Sequence, residues 1–396
     1  MVSKTGGSMK TDYDYIVLGL GGIGSGAAYW LARQAGAEVL GLEQFELGHE
    51  RGGSHDHSRI IRLSYHTPTY VRLAQQAYQC WAEVEAEAGE KLLVKTGGLD
   101  LWPEASLISP DNYAHSLAAC QVPFERLDAA EIMRRWPQFQ LTDDIQGLYQ
   151  AESGIAPATK CTATHQRLAR QHGATLLERQ PVVALHEQGG EITVETETRR
   201  YRCGKLIMAN GAWSNHSLAH FGLSLPLTVT QEQVTYFASP DLAAFGPDRF
   251  PVWIWMDEPC FYGFPVYGET GVKVSQDVGG EEVTVESRTF TPNPAILQRV
   301  EGFLHRYLPG ILGPTLYSKS CLYTMPPDRD FVLDALPGRP HCLMAIGAGH
   351  AFKFASVLGR ILSELAGQGH TSSPIDPFKI DRPLLTMPNP VKSFMV

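Results

Sequence analysis

The chain has 396 residues, of which 43% are hydrophobic and 19% charged, with a formal net charge of −9. That length and apolar content suit about two to three domains with a large core and exclude global disorder. The acidic balance argues against non-specific binding to nucleic acid or acidic membranes, and no uncharged apolar run reaches the ~18 residues that a membrane span needs. The first eight residues, Met-Val-Ser-Lys-Thr-Gly-Gly-Ser, read as an appended segment before a native start at Met9, and they hold no apolar signal core. Seven scattered cysteines (80, 120, 161, 203, 260, 321, 342) with no Cys-x-x-Cys point to reduced thiols in a cytoplasm rather than disulfides or zinc.

The first predicted element is an apolar strand at 15–18, which leads into Gly19-x-Gly21-x-x-Gly24. An Ala-rich helix pattern follows, then a second apolar run that ends at Glu43, 19 residues after Gly24. Gly19 permits the tight turn, Gly21 lets backbone approach a pyrophosphate, and Gly24 lets helix pack on strand. The helix N-terminus offers free N–H groups to phosphate, and an acid at that distance suits a ribose. Helix spacing recurs at 70–88, through Val71, Ala74, Ala77, Tyr78, Trp81 and Val84. Residues 89–150 are mixed and punctuated by Gly97-Gly98, Pro103, Pro110 and Pro123. A helix is predicted at 160–172, and strands at 176–177, 182–185, 191–195 and 201–209. The last of these runs into Asn210-Gly211-Ala-Trp213. Residues 226–287 are rich in β-formers and read as a sheet, and 296–307 as a helix closed by Pro309-Gly310. An apolar strand at 341–346, Gly347-x-Gly349 and a helix from about 351 to Ala366-Gly367 complete the chain. A strand–glycine–helix unit at both ends suits a discontinuous nucleotide-binding domain interrupted by β-rich insertions.

Four further segments carry candidate chemistry. In Gly53-Ser-His55-Asp-His57-Ser58-Arg59-Ile-Ile-Arg62, two arginines three apart share a helix turn or flank a loop. Arginine's fork suits a carboxylate or phosphate, although a solvated surface pair fits the spacing equally well. After Phe261-Tyr262-Gly-Phe-Pro265, Lys273 stands between Val272 and Val274. Buried, it is a functional candidate; on an edge strand it simply reaches solvent. Ser320-Cys321-Leu-Tyr323-Thr holds one of the seven cysteines. Gly349-His350-Ala-Phe352-Lys353 puts a cation in the predicted first turn of a helix, where the macrodipole disfavours it and a counter-anion explains it.

Together these segments resemble the monomeric sarcosine oxidase and N-methyltryptophan oxidase family of FAD enzymes, from about Asp14 to Pro383. The resemblance rests on Gly-Ser-His-x-x-x-Arg-x-x-Arg, Tyr-Gly-Phe-Pro, Cys-x-Tyr-Thr and Gly-His-x-Phe-Lys-Phe in this order. It implies an α/β fold with α+β insertions: a Rossmann-like, glutathione reductase-like FAD-binding domain and a β-rich substrate domain. The FAD domain is expected at 10–90, 150–222 and 318–386, and the substrate domain at 91–149 and 223–317. By the same resemblance Cys321 forms a thioether to the flavin 8α position, and Lys273 assists oxygen reduction near the flavin N5. Arg62 and Lys353 grip the substrate carboxylate, Tyr262 and Tyr323 wall the pocket, and His55 and Arg59 lie beside the flavin ring. FAD contacts fall on Gly19, Gly21, Gly22, Ile23, Gly24, Glu43 and Gln44, then on Gly53, Ser54, Ser58 and Arg59. Further contacts fall on Val182, Gly211 and Trp213, and on Gly347, Gly349, His350, Phe352 and Lys353. The chain departs from the family pattern at Asp277, where members carry a histidine four positions after the active lysine. It departs again at Ala351, which adds a methyl to the usual Gly-His-Gly-Phe-Lys.

The expected activity is oxidation of the C–N bond of an N-methyl or other secondary α-amino acid to an imine, with dioxygen reduced to hydrogen peroxide. A small-molecule substrate, dioxygen, no metal, no nucleic acid and a monomer complete the expectation. A cyclic imino-acid (pipecolate or proline) or glycated amino-acid oxidase is the nearest alternative. An NAD-dependent dehydrogenase fits the fingerprint alone but leaves Cys321 and Gly349–Lys353 without roles. A non-catalytic flavin-binding subunit leaves Arg62, Lys273 and Lys353 unexplained.

Overall fold

A computed structural model describes residues 10–393, so the expected appended segment at 1–8 and the start at Met9 lie outside the described residues. The strand Asp12–Leu18 lies parallel between Val39–Leu42 and Arg200–Met208, with Leu18 level with both Leu42 and Met208. Thr175–Leu177 extends the sheet beyond Val39–Leu42, and Arg339–Ile346 joins Arg200–Met208, both in parallel. Ile16, Val17, Leu40, Leu206 and Ile207 are fully buried: Val17 and Ile207 pack with the helices and Ile16, Leu40 and Leu206 with Leu185, Ile192 and Leu218, so neither face is left wet for an alternating pattern.

The helix Gly22–Ala35 is packed closely against the C-terminal helix Ala355–Gln368. A Cβ on Gly26 would meet the Ala355 carbonyl oxygen at 2.6 Å, and one on Gly359 would meet Gly26 backbone at 2.3 Å. Only glycines permit this approach. Gly24 serves the turn itself, since a Cβ there would lie 1.8 Å from the Gly19 carbonyl oxygen. Gly24→Ala is therefore expected to lower the melting temperature and the flavin content of purified protein together. Gly302→Ala, in the helix Pro294–Tyr307 with nothing within 4 Å of the new methyl, is the control. It should be neutral or stabilising by about 0.5–1 kcal/mol. Full flavin content in Gly24→Ala would show that the turn has slack.

The second sheet has nine strands. Its order runs Glu281–Glu282, Thr228–Phe237, Val272–Asp277, Cys260–Gly263, Val252–Trp255, Gly98–Trp102, Gln146–Gln150 and Glu125–Asp128. Thr315–Met325 pairs antiparallel along the length of Thr228–Phe237. Phe303 of the helix Pro294–Tyr307 stacks on Trp253 and Phe261 and ties that helix to the sheet. A three-stranded sheet of Arg59–Ile61, Gly154–Ala156 and Val94–Lys95 lies apart from both. Among the described residues no helix is long and apolar enough to cross a membrane, all seven cysteines are free, and no group of side chains is arranged to hold a metal ion.

Two local expectations change, and two alternatives left open by the sequence are decided. The boundary expected at 318 falls inside a strand of the second sheet, so Cys321 belongs to the β-rich layer and the chain returns to the first sheet only at Val332–Leu336. Arg59 and Arg62 are on no helix: Arg59 opens a short strand and Arg62 follows it, because the β-branched Ile60 and Ile61 pair with Gly154 and Ile155. Val272–Asp277 is paired on both sides, so Lys273 is buried and cannot reach solvent along an edge. The last helix begins at Ala355 and runs to Gln368, where Gly369 turns left-handed at φ +78°. Lys353 lies just before it, in the 3₁₀ turn Phe352–Phe354, beside the positive end of the helix rather than within its first turn.

Candidate active site

One cavity of about 920 Å³ runs from the first glycine turn into the space between the two sheets. Its volume is at the upper end of the about 300–1,000 Å³ of small-molecule sites. At the nucleotide end it is lined by Gly19, Gly21, Gly22, Ile23, Glu43, Gln44, Gly53, Ser54, Val182, Gly211 and Trp213. Gly19 turns at φ +82° and donates its N–H to Leu42 at 2.9 Å. The helix then starts at Gly21 with no side-chain cap, so its N-terminal N–H groups face the cavity, apart from Gly22 N–H, which donates to Ser54 Oγ at 2.9 Å. The Glu43 carboxylate accepts from Leu20 N–H at 2.8 Å and Phe45 N–H at 3.1 Å, with His49 at 3.4 Å. Burial alone would raise its pKa, but these partners outweigh burial and hold it low, so Glu43 offers a fixed anion.

Midway, residues 53–59 strap across to the second sheet. Arg59 lines the cavity and donates to Ser58 O at 2.8 Å and Gly53 O at 3.2 Å. His55 is buried behind it, and neither ring nitrogen has a hydrogen-bond partner. Burial, then the Arg59 charge, lowers His55 to about 4, so it is neutral at working pH. Lys273 is also behind the wall: its Nζ lies 2.6 Å from Asp56 Oδ2, donates to Ser58 O at 2.8 Å, and sits 4.7 Å from the Phe264 ring centre. Cys321 faces Glu232 across the strand pair and is buried, while its neighbours Leu322 and Tyr323 line the cavity. Burial pushes its thiol up to about 11 against the pull of Arg59.

At the far end the cavity meets Arg62, Tyr262, Tyr323, Gly347, Gly349, His350, Phe352 and Lys353. Gly349 turns at φ +80° directly over the Tyr323 ring, which a Cβ would strike at 2.6 Å. Arg62 holds Asp100 only at 3.5 Å, and Asp100 is itself bonded to Ser64 at 2.5 Å, so much of the Arg62 fork stays available. Lys353 Nζ donates to His350 O at 2.9 Å and has no carboxylate within ion-pair distance among the described residues. Burial, then Arg62, holds Lys353 well below its ordinary pKa. Asp277 grips Arg329 in a two-pronged pair at 2.8 and 2.9 Å, so the position that departs from the family pattern carries an ion pair on the cavity wall.

Of the expected site residues, then, most border one cavity. Gly24, His55, Ser58, Lys273 and Cys321 stand behind its lining. Sequence reading missed Asp56, Asp100 and Arg329. Asp56 lies inside a quoted motif, but neither spacing nor composition shows which cation an isolated acid will meet. The residues fit a flavin dinucleotide. The uncapped helix end suits the pyrophosphate, and Asn210 Oδ1 and His350 Nδ1 are buried polar atoms without partners on residues that line the same cavity.

Comparison with known proteins agrees with that fit. The FAD dependent oxidoreductase family model matches residues 14–365. A monomeric sarcosine oxidase from Streptomyces avermitilis is 35% identical over 379 residues, covering 93% of this chain and 97% of that one. An N-methyl-L-tryptophan oxidase from Citrobacter koseri is 32% identical, covering 93% and 99%. Among solved structures, the open form of NikD, an unusual amino acid oxidase essential for nikkomycin biosynthesis, superposes with a TM-score of 0.82 at 26% identity, covering 93% and 98%. The chain belongs to the FAD-dependent oxidoreductase family, among its amino-acid and amine oxidases.

Proposed function

We propose that this enzyme oxidises the C–N bond of N-methyl or other secondary α-amino acids, with FAD joined covalently to Cys321 and dioxygen as the acceptor. The observation that carries the reading is the pair Arg62 and Lys353 at the far end of the cavity, with Lys353 lacking a carboxylate partner among the described residues. Such a pair suits one substrate carboxylate, and Asp277–Arg329 beside it is already neutral. FAD, when bound, supplies the two-electron acceptor. The chain's own residues bind and orient. Arg62 and Lys353 fix the carboxylate, Tyr262 and Tyr323 flank the amine end and keep water out, and Lys273 holds a positive charge for oxygen reduction. Fixed charge pairing of this kind lowers the barrier by orientation.

Peroxide release across a panel of N-methyl amino acids, pipecolate, proline and a glycated amino acid tests the substrate class. A charge-assisted contact is worth roughly 1.5–3 kcal/mol, so Arg62→Ala or Lys353→Ala is expected to raise the apparent substrate constant at least about tenfold. Both variants should lose the preference for the acid over its amide. Burial and Arg62 hold Lys353 below its ordinary pKa and a bound carboxylate favours its protonated form, so affinity for a carboxylate inhibitor should fall as pH rises. Unchanged acid-versus-amide selectivity in both variants would place the carboxylate elsewhere.

A further inference from the structure

Asp56 is a buried carboxylate that the substrate-binding scheme does not use. It sits in the strap between His55 and His57 with φ +86°, a left-handed conformation that a non-glycine residue adopts only under restraint. The restraints are visible. Thr159 donates to its carbonyl through both N–H and Oγ1, at 3.3 and 3.2 Å. Tyr236 OH donates to Oδ1 at 2.9 Å, and Lys273 Nζ ion-pairs with Oδ2 at 2.6 Å. The pair is nearly solvent-free, with both side chains at most 2% exposed. A buried lysine without such a partner sheds its proton.

Taking the oxygen-reducing role of Lys273 as proposed above, we infer that Asp56 is a positioning residue that keeps the Lys273 side chain charged and draws its ammonium toward the strap. The groups around Lys273 leave few other candidates. Asp56, Ser58 and Arg59 face it from the strap, Tyr236 from Thr228–Phe237 and Cys321 from Thr315–Met325. Phe264 flanks it on the cavity side, His57 stands edge-on to Tyr236, and Glu269 lies beyond, through Tyr317. Of these only Asp56 is an anion in contact with the ammonium. Arg59 opposes the Lys273 proton, and the burial-raised Tyr236 and Cys321 stay neutral. Burial lowers Lys273 to about 8 even with Asp56 pulling the other way, so removing that anion moves it lower still.

The arrangement has two opposed consequences. Asp56 keeps the proton on Lys273, and it also offsets part of the field that the ammonium exerts. Stopped-flow reoxidation of the substrate-reduced holoenzyme, followed from pH 5.5 to 9.5, separates them. The wild-type rate should fall as pH rises through about 8, as Lys273 loses its proton. In Asp56→Asn the fall should move down by at least about one pH unit, while the low-pH plateau stays at or above that of wild type. Asp56→Gly, which accepts the left-handed backbone without strain, should show the same shift and guards against misfolding of the amide variant. Lys273→Met should abolish the transition. Profiles of both Asp56 variants coincident with wild type, with Lys273→Met slow, would overturn the role of Asp56 alone. Lys273→Met as fast as wild type would overturn the reading of Lys273 on which the inference rests.

Discussion

Lys273→Met is expected to slow reoxidation of the reduced flavin by oxygen about a hundredfold or more, while reduction by substrate falls only modestly. Dioxygen is uncharged, so a nearby cation gains most where negative charge develops, in the transition state rather than in binding. Lys273 lies on a strand paired on both sides, behind a cavity wall that includes Phe264 and Arg59. The structure adds a cost that the motif alone does not show. Methionine leaves Asp56 buried without its ion pair, and truncating one partner of a buried pair typically costs about 3–5 kcal/mol. The single variant should therefore melt lower. Combining it with Asp56→Asn should recover most of that loss, since the stranded charge is gone, yet leave reoxidation slow. Stopped-flow absorbance measures the two half-reactions separately. Reoxidation as fast as wild type in a folded single variant would remove Lys273 from oxygen chemistry.

Cys321→Ser is expected to change flavin retention completely. Wild-type protein precipitated in acid should give a yellow pellet and a colourless supernatant, and the serine variant should release its flavin or purify without it. Burial makes a free thiolate at Cys321 costly, with the thiol pushed up to about 11, and the Arg59 charge opposes this shift, so the proposed attachment should be sensitive to Arg59. Arg59→Lys, which keeps a cation but loses the fork that spans Ser58 O and Gly53 O, should then slow covalent incorporation into apoprotein rather than abolish it. Full extraction of flavin from wild type by acid would show that Cys321 is a buried structural thiol like Cys203 or Cys342, which are also buried.

Much of the nucleotide end was legible because local sequence and local geometry coincide there. Gly24 is required by its approach to the Gly19 carbonyl within one turn, and Gly19 by its left-handed backbone at φ +82°. Glu43 follows the next strand, and the apolar runs at opposite ends of the chain read as parts of one discontinuous domain because buried parallel strands carry continuous apolar sequence; Arg200–Met208 stands between them in the sheet. The helix at 70–88 and the one at 296–307 were visible through their 3.6-residue period, since each buries a single face. The motif order further pointed to Arg62, Tyr262, Tyr323 and Lys353, and the structure gathers them at one end of one cavity.

Charge partners were not legible. Asp56 reaches Lys273 across more than two hundred positions of chain, Asp100 reaches Arg62 from another strand, and Asp277, at the end of its strand, meets Arg329 in the loop after Thr315–Met325. No period or spacing encodes such pairs, because they form only when two sheets and a strap close on the same space. The 318 boundary failed for the same reason: the long strand Thr315–Met325 has the composition of either layer, and its pairing with Thr228–Phe237 decides which. The sequence by itself determined the dinucleotide turn, which follows from local backbone requirements, and named candidate chemistry-bearing side chains through the order of motifs shared with the family. Tertiary structure alone decided the burial of Lys273 and Cys321, the neutral pair at Asp277 and the availability of Lys353. Protonation and free charge are set by distance and solvent exclusion between segments that are remote along the chain.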